Sequence, residues 1–96
     1  MIEIRTNCEN CNKALPPNSE EAMICAFECT FCKDCVETIL FNVCPNCSGG
    51  FEKRPVLRSA FLEKYPPSDK RIYKPIDAEK FKVQLKKYKD VKPSER

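Results

Sequence analysis

Eight cysteines fall between positions 8 and 47 of a 96-residue chain, and their spacing is that of metal ligands. They run Cys8-x2-Cys11-x13-Cys25-x3-Cys29-x2-Cys32-x2-Cys35-x8-Cys44-x2-Cys47. A two-residue gap lets both sulfurs of a pair reach one tetrahedral ion at about 2.3 Å, while the turn between them aims its amides at the sulfurs. Three pairs have this gap and Cys25-x3-Cys29 has one residue more, and the four pairs match two four-coordinate zinc ions without remainder. A shell closed by four thiolates leaves no position for water or substrate, which points to structure and away from catalysis. The chain also contains no His, so the commonest proton shuttle is missing. The expectation is two structural zinc ions and no enzymatic activity.

Two other uses of eight cysteines compete with this reading. A disulfide framework needs an oxidising compartment. The segment from Met1 to Cys8 has no basic start followed by a long apolar stretch, so no secretory leader is read there and a reducing cytoplasm is expected. An iron–sulfur cluster is suggested by Cys29-x2-Cys32-x2-Cys35, but the fourth ligand of a ferredoxin-type run would fall at Ile39. The pairing of the cysteines is a separate matter. Cys29, Cys32 and Cys35 crowd if neighbouring pairs share an ion. An interleaved arrangement relieves this, with Cys8, Cys11, Cys32 and Cys35 on one zinc and Cys25, Cys29, Cys44 and Cys47 on the other. A sequential arrangement also supplies four ligands per ion, so spacing leaves both open.

The elements that must position these ligands are short. Ile2 and Ile4 alternate with Glu3 and Arg5, a strand pattern leading into the first pair. Pro16-Pro17-Asn18-Ser19 reads as a loop, and Ala22 to Phe27 as a second strand. Asp34 to Asn42 suits a helix of about two turns with Val36, Ile39 and Leu40 on one face. Ser48-Gly49-Gly50 is a turn, and Phe51 to Val56 returns as a strand that Pro55 confines to an edge. Ile24, Phe27, Phe31, Ile39, Leu40 and Val43 are expected to pack around the metals.

Beyond residue 57 the cysteines stop. Ser59 is placed to cap a short helix that Pro66-Pro67 ends. Tyr73 to Ile76 reads as extended. Asp77 is an N-cap candidate, with Ile76 and Phe81 positioned as a hydrophobic staple. The expected fold is a small zinc-stabilised α+β domain over 1–57, followed over 58–96 by a basic, partly helical extension. That extension is expected to pack back through Phe61, Leu62, Tyr65, Phe81 and Leu85.

Charge is divided between these parts. Residues 1–50 carry three basic and seven acidic side chains, and residues 51–96 carry fourteen basic and seven acidic. Lys80, Lys82, Lys86, Lys87 and Lys89 cluster on the last helix and make nucleic acid a second candidate partner after protein. No aromatic stacking pattern accompanies those lysines. No apolar run approaches the roughly 18 residues needed to span a bilayer, and no membrane role is expected.

The string Ile24-Cys25-x3-Cys29-Thr30-Phe31-Cys32-x2-Cys35, closed by Cys44-Pro45-Asn46-Cys47, resembles a RING finger, a cross-brace of two zincs. The resemblance covers roughly residues 6 to 48. It implies Phe31 as the aromatic before the fifth ligand and Cys29 where RING domains usually carry His. RING ubiquitin ligases usually place an aliphatic residue after the first ligand, to grip a conjugating enzyme, and a basic residue after the last. Here these positions hold Glu9 and Ser48, so ligase activity is not expected. The whole chain also resembles a family of small bacterial eight-cysteine proteins of unknown function, through its Glu-Cys-Thr-Phe-Cys core and Cys-Pro-Asn-Cys close.

Overall fold

A computed structural model describes residues 1–96. Three short strands, β1 (Ala22–Ile24), β2 (Thr30–Cys32) and β3 (Glu52–Lys53), form an antiparallel sheet in the order β2-β1-β3. β1 pairs with β2 as Ala22↔Cys32, Met23↔Phe31 and Ile24↔Thr30, and with β3 as Met23↔Lys53 and Ile24↔Glu52. Pro55 follows β3, and β3 lies at the edge of the sheet as a proline requires. The β1–β2 connection is the Cys25–Cys29 loop itself, so the hairpin turn and the metal-ligand turn are one structure.

β2 feeds directly into α1 (Lys33–Cys35), whose N-cap is Cys32. The helix then widens into a π-helical stretch over Val36–Leu40. This widening corrects the expected helical face: Val36 and Leu40 are buried, and Ile39 is exposed. The wider turn rotates the residue three positions on away from the shared face. Phe41 and Asn42 then adopt positive φ (47° and 61°) to end the helix.

Three further expectations are corrected. Ile2 to Arg5 forms no strand, because its backbone partners are not a strand: the Ile4 carbonyl accepts from Ser68 N–H at 2.8 Å, and Glu3 N–H donates to Glu28 Oε2 at 3.0 Å. Ile4 is nonetheless buried, as the alternation implies. Phe27 is 73% exposed and not part of the core, because both ends of its loop are drawn inward and its middle residue is left pointing out. Ile24 is only half-buried.

The core has 18 buried residues of 96, and five of these are cysteines. So few buried apolar side chains make a marginal core for a domain of this size. Phe31 packs edge-on against Phe51, ring centroids 5.4 Å apart. The extension contributes through α2 (Ala78–Tyr88), which Asp77 caps by accepting from Glu79 N–H and Lys80 N–H. Phe81 is buried in the core, with Ile76, Leu85 and Tyr88 packed against it. Phe61 and Tyr65 do not join them; both remain exposed on the short 3-10 turn Ser59–Phe61 and its continuation. Gly50 is needed for room, since a Cβ there would lie 2.9 Å from Pro93 Cγ.

Arg54 is the unexpected member of the core, at 1% exposure. Its guanidinium donates to the carbonyls of Arg5 (2.6 Å), Leu15 (3.2 Å) and Pro16 (2.8 Å). Burial lowers its pKa from the ordinary value, since no carboxylate faces the charge. One side chain therefore ties β3 to the N-terminal segment and to the loop after Leu15. Arg54→Ala strands the Arg5 and Leu15 carbonyls, while the Pro16 carbonyl keeps Ser19 N–H at 2.8 Å, and is expected to cost about 3 kcal/mol through the loss of charge-assisted hydrogen bonds. Urea denaturation of metal-loaded protein measures this, and bound metal is expected to remain at its parent level in the absence of denaturant.

Candidate metal centre

The sulfurs of Cys8, Cys11, Cys32 and Cys35 all lie within 4.8 Å of one another. The first knuckle, Cys8 to Cys11, comes from the N-terminal segment, and the other two ligands come from the β2–α1 junction. Cys8 Sγ is 3.9 Å from Cys35 Sγ, and Cys11 Sγ is 3.7 Å from Cys32 Sγ. Metal–sulfur bonds of about 2.3 Å in a tetrahedron put neighbouring sulfurs about 3.8 Å apart. The donor set therefore fits one mononuclear ion. A disulfide needs about 2.05 Å between sulfurs, and all eight cysteines are unbridged.

Cys25, Cys44 and Cys47 form a second group at the same mutual spacing. Cys29 does not meet that spacing with all three. It sits beside them: the Cys29 carbonyl accepts from Cys25 N–H at 3.2 Å, and its sulfur accepts from Asn46 Nδ2 at 3.4 Å. The two groups thus draw from alternate pairs along the chain, an arrangement consistent with a cross-brace.

Both terminal knuckles have the same local build. Asn12 N–H closes on the Cys8 carbonyl at 2.9 Å, and Ser48 N–H closes on the Cys44 carbonyl at 2.7 Å. Asn12 and Ser48 take left-handed φ of 65° and 66°, the conformation that turns the chain sharply away from the ligands. Amides point at sulfur as the spacing implies: Cys11 N–H to Cys8, and Cys35 N–H to Cys32, each at 3.5 Å. Gly49 N–H approaches Cys47 Sγ at 3.4 Å.

Two asparagines escaped the sequence reading. Asn10 Nδ2 donates to Cys35 Sγ at 3.4 Å, as Asn46 Nδ2 does to Cys29 Sγ. Each asparagine also accepts from the extension, Asn10 Oδ1 from Ile76 N–H at 3.1 Å and Asn46 Oδ1 from Lys74 Nζ at 3.2 Å. The signal was present as a repeated Cys-x-Asn-Cys, Cys8-Glu9-Asn10-Cys11 and Cys44-Pro45-Asn46-Cys47. Glu9 is likewise more than a surface group. It is 5% exposed, its Oε1 accepts from Asn46 Nδ2 at 2.8 Å, and Lys74 N–H covers its carbonyl at 2.8 Å. Gln84 of α2 completes the cover by donating to the Cys44 carbonyl at 3.0 Å.

Burial pushes the Cys35 and Cys44 thiols far above the ordinary thiol range, and raises Cys29 and Cys32 as well. Cys11 goes the other way. Desolvation acts upward on it, but hydrogen bonds from the Lys13 backbone and from the Cys8, Cys32 and Cys35 thiols outweigh that and hold it low. Such a site keeps its protons until a cation displaces them.

Residues 1–57 match the model of a family described as a protein of unknown function (DUF1272). An uncharacterized protein of Rhizobium meliloti (strain 1021) is 53% identical over 75 residues, 78% of this chain and 89% of the relative. No solved structure matches this chain.

Metal uptake is expected to release protons, and the apparent affinity is expected to fall as pH is lowered, since raised thiol pKa values favour the proton. A pH-stat titration with metal measures both. Asn10→Ala and Asn46→Ala each remove one donor to sulfur and are expected to weaken their own group about tenfold or more. Competition with a chromogenic chelator reads this as a change in one of two phases.

Proposed function

Because the chain belongs to the DUF1272 family, whose description carries no activity, we propose a function from its own site: a module built on two structural zinc ions that serves binding and not catalysis. The observation that carries this reading is the sulfur spacing of the first group, 3.7 and 3.9 Å between cross-paired thiols. Thiolate donors favour zinc, copper(I) and iron–sulfur clusters among biological metals. A cluster would interpose several irons and spread its thiolates, so the spacing favours a single ion. Zinc suits a closed tetrahedral thiolate shell that carries no redox chemistry. In the second group Cys25, Cys44 and Cys47 would supply three ligands and Cys29 the fourth. A reducing cytoplasm suits eight unbridged thiols.

The binding partner in this reading is a protein, met at the apex of the Cys25–Cys29 loop. Phe27 is held there by two ligands, and Glu28, at φ 65°, is pinned through Glu3 N–H. An exposed ring on a rigid loop loses little conformational entropy on binding, which is what an anchoring residue requires. Glu9 supports a role other than ubiquitin ligation, since a buried, hydrogen-bonded carboxylate replaces the aliphatic grip and the chain itself covers it.

Native mass spectrometry with elemental analysis is expected to give two zinc ions per chain. Chelation is expected to abolish the folded circular-dichroism signal, because each ion supplies on the order of 10 kcal/mol in comparable peptides. A metal-free chain that stays folded would contradict the structural role. A photo-crosslinking residue at position 27, expressed in the native host, is expected to give one discrete protein adduct that the same residue at Glu20 does not.

A further inference from the structure

The lysine helix is the obvious basic surface, with the exposed Phe41 ring 4.4 Å from Lys89 Nζ at its end, but three other exposed rings lie before it in the chain. Phe61, Tyr65 and Tyr73 are 44%, 40% and 55% exposed, all on the stretch before α2. Scattered exposed rings are ordinary on protein surfaces. Three on one short stretch, each beside a cation, are a pattern. Arg58 Cζ stands 5.7 Å over the Phe61 ring and Lys64 Nζ 5.5 Å over Tyr65. Tyr73 lies between Arg71 and Lys74 in the chain.

The rings are presented by ordered backbone. Tyr65 N–H donates to the Phe61 carbonyl at 2.8 Å, which sets the two rings one helical turn apart with centroids separated by 6.4 Å. The Ile72 carbonyl accepts from Asn7 Nδ2 at 2.9 Å and holds Tyr73 beside the first knuckle. A hollow of about 400 Å³ opens beside Tyr65, lined also by Lys64, Lys70 and the first four residues. Glu3 in that hollow is neutralised by Arg5 at 3.5 Å and hydrogen-bonded by Ser68 Oγ at 2.9 Å.

The charge is not neutralised by carboxylates, although Arg71 Nη2 donates to Asn12 Oδ1 at 2.8 Å and Lys74 Nζ to Asn46 Oδ1 at 3.2 Å. Arg58, Lys64, Lys70, Arg71 and Lys74 outnumber Glu63 and Asp69 on this stretch. The ion pairs of the molecule are Arg5–Glu3, Lys13–Glu21, Lys33–Glu37 and Lys53–Glu20, and none of these five cations takes part. We infer that residues 58–74 form a binding surface for single-stranded nucleic acid, with Phe61, Tyr65 and Tyr73 stacking on unpaired bases and the flanking Arg and Lys side chains meeting phosphates. Unpaired cations alone would suit any polyanion. Exposed rings interleaved with them select a ligand that has flat apolar faces as well as charge. A duplex hides those faces, so the strand must be single. Glu3 links the hollow beside Tyr65 to Glu28 of the Phe27 loop, so the two surfaces adjoin, and the nucleic-acid inference goes beyond the protein-binding reading.

The test uses the intact, metal-loaded chain and a labelled thymidine strand of about twelve nucleotides, within the usual range for such sites. Fluorescence anisotropy is expected to show binding whose affinity falls with salt at about 0.7 log units per phosphate contacted for each log unit of salt. The chain has no Trp, and two of its three tyrosines, Tyr65 and Tyr73, lie on this stretch, so stacking is expected to quench part of the tyrosine emission. Phe61→Ala and Tyr65→Ala are each expected to weaken binding about tenfold with the salt slope unchanged. Arg58→Gln with Lys64→Gln is expected to flatten the slope. The rings are exposed, so these variants should keep their fold, and metal content measured on each confirms it. The proposal is overturned if no strand binds at low salt, if ring variants bind as the parent does, or if duplex binds as tightly. It is equally overturned if polyglutamate displaces the strand at matched charge, or if Lys82→Gln with Lys86→Gln abolishes binding. Parent chain that carries no metal yet shows the ring effects would sink the structural-zinc reading and leave this one standing.

Discussion

Four sulfur atoms brought to within 4.8 Å of one another are the constraint on which the rest of this molecule depends. Thiolates that close repel, and thiols that close keep their protons and pack as small apolar groups. Burial first, and the charge of neighbouring sulfurs after it, raises the pKa of Cys32 and Cys35 here and of Cys44 in the second group. A divalent cation bound there would replace the protons and join the two chain segments that carry the sulfurs. In a chain with 18 buried residues, that joining would substitute for apolar burial that is absent.

The sheet and helices follow from the ligand geometry more than they impose it. β1 and β2 are the two arms of the Cys25–Cys29 loop, and the β2–α1 junction is the Cys32–Cys35 turn, with Cys32 as the N-cap. Strands of three residues and a single α-helical turn would not persist alone. They persist here as the approaches to fixed points. Arg54 performs a related task without metal, since one buried guanidinium gathers three carbonyls from two separate segments.

The extension is tied into the same system. Asn10 and Asn46 each face a sulfur on one side and residues 74–76 on the other, so the tail and both groups are linked by hydrogen bonds. α2 adds Phe81 to the core and Gln84 to the Cys44 carbonyl, and Arg96 donates to the carbonyls of Asn42 and Ser48. This leaves the outer face of α2 and the Arg58–Lys74 stretch turned to solvent, where most of the unpaired positive charge resides. No helix is long and apolar enough to cross a membrane.

Spacing alone marked the cysteine turns that converge in the fold, because two residues between cysteines is a local geometric condition. Local signals also placed the Asp77 cap, the Ile76–Phe81 pair, β3 at an edge and the loop at Pro16-Pro17. Where the sequence misled, the deciding contact was distant. Ile2 to Arg5 had a strand's alternation but met Ser68 and Glu28 in place of a neighbouring strand. Ile39 had a helical register, but a π-helical widening turned it outward. Phe27 and Tyr65 are apolar enough for a core and found no cavity to fill. The choice between interleaved and sequential pairing, the burial of Arg54 and the roles of Asn10 and Asn46 belonged to tertiary structure alone. Each depends on which segments meet in space, and ligand count, composition and periodicity are identical for either answer.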